Sequence, residues 1–64
     1  MEVFVVLHDH RFESGYVDSK LIGVFSSSDR AYAALNEVRD APGFDEHPEG
    51  FHIDRFEIDK RASL

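Results

Sequence analysis

Sixty-four residues leave room for one small domain, and a chain this short buries only about 60% of the surface its unfolded form exposes. The absence of cysteine excludes disulfide staples, thiolate metal sites and thiol nucleophiles. Thirteen acids against seven bases give a net charge of -6, which argues against direct binding to nucleic acid or an anionic membrane and favours a basic protein surface as partner.

Residues 2–8, Glu-Val-Phe-Val-Val-Leu-His, are rich in β-branched and aromatic side chains and too short for a typical helix, so they predict a strand. Val3, Val5 and Leu7 share one parity, Phe4 and Val6 the other. A strand apolar on both faces belongs in the centre of a sheet. A polar stretch over 9–19 follows, with Gly15 as its turn residue, and 20–25 predict a second strand. Gly23 inside that strand signals a bulge or a close backbone approach.

Ser26, Ser27, Ser28 and Asp29 form a helix-start signal, with a serine oxygen to accept from an orphan amide and an acid at the positive end of the dipole. Ala31, Ala34, Leu35 and Val38 then recur at helical spacing, so one stripe faces the sheet. Pro42-Gly43 predicts the stop. Residues 44–50 are turn-rich. Residues 51–59 alternate as a strand does, but with a phase slip: Phe51 and Ile53 share one parity, Phe56 and Ile58 the other. A bulge near Asp54-Arg55 would bring all four to one face.

The predicted fold is α+β, ordered β-β-α-β: a three-stranded antiparallel sheet of spatial order 2-1-3 with one helix on one face. The domain spans residues 1–59, and 60–64 form a short tail. One helix covers one face only, so the other is expected to carry apolar residues that nothing in the chain covers. That face is assigned to Phe4, Val6, Ile22 and Val24, as a surface for self-association. No apolar run approaches the roughly 18 residues of a membrane span, and the first residues do not form a signal peptide, so the expected setting is cytoplasmic.

Four histidines offer a metal reading. His8 and His10 point to one side of an extended backbone, and His47 and His52 flank the start of the last strand, which the proposed order brings near the end of the first. The plainer alternative is a set of rim histidines, hydrogen-bonded or solvated. No bound cofactor is expected. The serines are explained by capping, no glycine-flanked nucleophile elbow surrounds them, and paired carboxylates such as Glu57 and Asp59 on a strand expected to face solvent lack the buried setting of acid catalysis. The chain is therefore expected not to be an enzyme.

Charge is concentrated. Residues 45–59 hold Asp45, Glu46, Glu49, Asp54, Glu57 and Asp59 against Arg55 alone. Acids on one strand face recur every roughly 6.6 Å, comparable to successive phosphates, so an acidic strand suits a nucleic-acid-binding groove on another protein. The competing reading is a solvated face that keeps the protein soluble and guards an edge strand.

The segments Lys20-Leu21-Ile22-Gly23-Val24-Phe25-Ser26-Ser27, Pro42-Gly43-Phe44 and His47-Pro48-Glu49-Gly50-Phe51, followed by Ile53-Asp54 and Ile58-Asp59-Lys60, resemble a family of small uncharacterised bacterial proteins. Relatives continue past the last strand with a Trp-containing segment ending in Gly-Phe, where this chain has Arg61-Ala62-Ser63-Leu64. The resemblance implies the fold and transfers no catalytic residue. The expected function is a small acidic module that occupies a basic surface of a nucleic-acid-binding protein or nuclease, as a phage anti-CRISPR-type mimic, an immunity protein or an antitoxin does. The alternative is a structural or regulatory homodimer, and a histidine metal-binding protein comes third.

Overall fold

A computed structural model describes residues 1–42, 44, 47–59 and 61. Its elements are β1 (Glu2–Arg11), β2 (Val17–Phe25), α1 (Ser28–Val38), a 3-10 turn (Pro48–Gly50) and β3 (Phe51–Glu57). The strands form one antiparallel sheet of order β2-β1-β3, with α1 on one face, so the predicted architecture holds. Among the described residues, no helix is long and apolar enough to cross a membrane.

Both hairpin strands run further than their apolar patterns. Asp9 pairs with Ser19, His10 with Asp18 and Arg11 with Val17, because ladder hydrogen bonds need backbone amides and not apolar side chains. The connection shrinks to Phe12–Tyr16, closed by Phe12 N–H donating to the Tyr16 carbonyl (2.8 Å) and turned at Gly15, whose φ of 91° lies in the glycine-favoured region.

The bulge lies in β2. Val6 faces Gly23 and Leu7 faces Leu21, which leaves Ile22 as the extra residue. The bulge expected near Asp54-Arg55 is absent, since β3 pairs with β1 without a break from Glu57 opposite Glu2 to Phe51 opposite His8. Phe51 and Ile53 therefore lie on the helix side, and Phe56 lies on the other, where it stays 54% exposed. An uninterrupted ladder outweighed the gain from burying one more ring.

The Ser27 hydroxyl caps α1 by accepting from the Arg30 amide at 3.2 Å. Within α1, Ala31, Ala34, Leu35 and Val38 are the positions not exposed, matching the predicted stripe. The helix stops at Val38, with Arg39 as C-cap, ahead of Pro42. A residue preceding proline disfavours helical backbone, and the chain leaves the helix early through turns, with Ala41 N–H donating to the Val38 carbonyl.

The helix-side core is small. Val6 (0% exposed) and Ala31 are the fully buried apolar residues among those described, and His8 (1% exposed) is buried with them. The His8 ring meets Phe44 edge-on at 4.8 Å and Phe51 at 4.5 Å, and its Nε2–H donates to the His47 carbonyl at 3.0 Å. That bond ties the 3-10 turn to the central strand. Gly50 allows the approach, because a Cβ there would run into the Asp9 carbonyl and sit 3.1 Å from His8 Nε2.

Two substitutions test this lock. Gly50→Ala should destabilise the domain by about 1–3 kcal/mol through overpacking against backbone that cannot yield. His8→Leu should cost about 1–3 kcal/mol by leaving the His47 carbonyl without its donor. Urea unfolding followed by circular dichroism measures both. Wild-type midpoints would show that the turn is not anchored through these residues.

Candidate functional site: the open sheet face and its polar end

Residues paired across a sheet share a face, so the register defines the surface opposite α1. In β1 it carries Val3, Val5, Leu7, Asp9 and Arg11. In β2 it carries Leu21, Val24, Ser19 and Val17, and in β3 Phe56, Asp54 and His52. Leu21 is 62% exposed, Val24 56% and Phe56 54%, while Val3, Val5 and Leu7 are half-buried between them. The result is a continuous apolar strip across all three strands.

The expected self-association set divides. Val24 lies on this open face, but Phe4 and Val6 lie on the side that α1 covers, and Ile22 is the half-buried bulge residue. The inversion follows from His8. The even parity of β1 carries the imidazole that Phe44, Phe51 and the His47 carbonyl close over, so helix and 3-10 turn converge there and leave the odd parity open.

One end of the open face is polar. The Ser19 hydroxyl donates to Asp9 Oδ1 at 2.5 Å. His52 stands between two carboxylates, with Nε2 at 3.3 Å from Asp9 Oδ2 and Nδ1 at 3.6 Å from Asp54 Oδ2. The hydrogen bond from Ser19 is the largest influence on Asp9 and lowers its pKa below the ordinary aspartate value. Desolvation opposes this, and His52 adds to the lowering through a hydrogen bond and its charge. Asp9, Arg11, His47, Glu49 and His52 line a groove of about 480 Å³ at this end. Ser19 gives its hydrogen bond to a carboxylate and not to an imidazole, so the order of groups differs from a nucleophile–base–acid relay.

The histidines do not gather into one centre. His8 is a core residue, and His10 stacks on Phe12 (4.4 Å) and meets His47 at a tilt (4.2 Å). His52 lies on the opposite face of the sheet. Among the described residues no group of three or more His, Asp or Glu is arranged to hold a metal ion. The spacing of His8 and His10 did put them on one side; aromatic packing with Phe44, Phe51 and Phe12 uses that side.

The acids do not form one ladder either. Asp54 lies on the open face, and Glu57, opposite Glu2, has the other parity. Asp59 lies beyond the strand in a turn with φ 63°, and Glu49 projects from the 3-10 turn. Asp45 and Glu46 lie outside the described residues. The Ser19–Asp9–His52–Asp54 chain was missed in the sequence, where no two of its members are adjacent. Alternate spacing of His52 and Asp54 was its only local signal.

The described residues thus form a thin α+β layer with one open apolar face. A family described as a domain of unknown function (DUF7336) matches residues 1–64, and the chain belongs to that family. No curated protein and no solved structure matches it significantly.

The polar end sets a pH response. Asp9 is held ionised below its unfolded-state pKa, so its contribution to stability is present above that value and is lost as pH falls through the folded value. Ser19→Ala should move the Asp9 pKa up toward the ordinary value, read by carboxyl NMR titration. An unmoved titration would remove the hydrogen bond as the cause.

Proposed function

We propose that this protein is a non-catalytic protein-binding module of the cytoplasm, and that the open sheet face is its contact surface. The observation that carries the reading is the strip formed by Val5, Leu7, Leu21, Val24 and Phe56. Contiguous exposed apolar surface mixed with a polar end is the composition of an interface. Large exposed side chains at its centre, Leu21 and Phe56, would act as anchors, and the Asp9–His52–Asp54 chain would form part of the polar rim.

The net charge of -6 supports a second contact, away from that face. Asp59 lies in a turn beyond β3, and Glu49 stands on the 3-10 turn at the rim of the polar groove. Such an acidic exterior would steer the module toward a basic surface, of which nucleases and other nucleic-acid-binding proteins are the main source. An anti-CRISPR-type inhibitor, an immunity protein or an antitoxin would each use it in this way.

A photo-cross-linking amino acid at Val24, with Tyr32 on the exposed side of α1 as control, tests the contact surface in cells. Adducts from position 24 and few from position 32 are expected. Equal labelling, or none from position 24, would overturn the open face as the contact surface.

A further inference from the structure

We propose that the open sheet face is covered by a second copy of this chain, packed face to face so that two three-stranded sheets make a sandwich. The inference rests on the reading of that face as a contact surface and names its occupant. Area, shape and charge argue for it.

The chain exposes 5106 Å². A compact folded chain of 7.3 kDa exposes about 4,200 Å². The excess, roughly 900 Å², is close to the about 800 Å² that each partner buries in a stable interface of standard size. Shape agrees with area. The Cα extents are 36 × 29 × 13 Å and the radius of gyration is 13.4 Å, above the roughly 10.7 Å of a compact 64-residue domain. The molecule is a plate, and its missing layer is on the side that carries the apolar strip. Sheets pack about 10 Å apart with their inner side chains interdigitated, a geometry open to a second plate of the same kind.

Charge decides between a copy and a basic partner. On the open face Asp9 and Asp54 stand against Arg11, so the face carries one of the six net negative charges. Both carboxylates are already engaged, Asp9 by Ser19 and His52, and Asp54 by His52. A basic surface would gain little there, whereas an identical face meets it with little local repulsion. The symmetry is that of a two-fold dimer, in which one patch serves both partners. The acidic exteriors then point outward on both sides.

Sedimentation equilibrium of the full chain from about 5 to 200 μM, at low and at high salt, tests the proposal. The expected mass rises toward twice 7.3 kDa, and association strengthens with salt because screening relieves repulsion between like-charged copies. Leu21→Glu with Val24→Glu should hold the mass at that of one chain with an unchanged far-UV spectrum, while Tyr32→Glu should associate as the wild type does. A wild-type mass of one chain throughout would overturn the second copy, whether or not the double variant folds. So would a double variant that associates undiminished. A monomer that still gives heterologous adducts from position 24 would overturn the copy and leave the contact surface standing.

Discussion

A central strand that is apolar on both sides, served by a single helix, is the constraint from which the rest of this structure follows. Val6 and His8 take the covered side of β1; Val3, Val5 and Leu7 take the other. The eleven residues of α1 pack through one narrow stripe of alanine, leucine and valine and cannot cover both faces. With two fully buried apolar residues among those described, the core is small even for a domain of this length. Stability in such a case has to come from close packing, a staple or a partner. The cysteine-free chain has no disulfide staple, so packing at the His8 end carries more of the stability, and under the proposed pairing the open face would add to it.

His8 takes the place of a larger apolar core. Its imidazole meets Phe44 edge-on and Phe51 at a tilt and gives a donor to the His47 carbonyl, so one side chain supplies ring packing and a long-range hydrogen bond together. The bond spans 39 positions of sequence. It fixes the 3-10 turn, and through Gly50 the turn fixes where β3 begins. The start of β3 in turn sets which parity of that strand faces the helix. Phe56 is exposed because Phe51 is held under the turn and the ladder between them has no break.

Much of this was legible in the residues. The two-sided pattern of Val3 to Leu7 gave the central strand, and with it the strand order. The spacing of Ala31, Ala34, Leu35 and Val38 gave the helix and its buried side, and Gly23 marked the bulge. Which side of β1 the helix would cover was not legible, because Phe4 with Val6 and Val5 with Leu7 are near-equal in size and hydrophobicity. The deciding contact belongs to His8, a residue whose type argued for a rim or a metal. The bulge was placed in β3 on a parity argument that counts apolar residues and ignores the ladder hydrogen bonds a bulge would break. The site was less legible than the fold, since Ser19, Asp9 and His52 are contributed by three strands and become neighbours only through the register.

Net charge and the open face act on the same problem from opposite directions. A flat sheet with an apolar face and edge strands on both sides is a template for unspecific association. Here the edges carry Asp18 and Lys20 on β2, and Asp54, Arg55 and Glu57 on β3, so another strand adding to either edge meets charged side chains. The net charge of -6, most of it on the other surfaces, also keeps chains apart at distances beyond contact. Only an approach along the open face escapes most of that repulsion, because there the carboxylates are few and already engaged. The charge therefore does not oppose assembly in general. Under the proposed pairing it raises the cost of other orientations more than that of the one in which the apolar strip is covered, which would turn a nonspecific hydrophobic patch into an oriented contact.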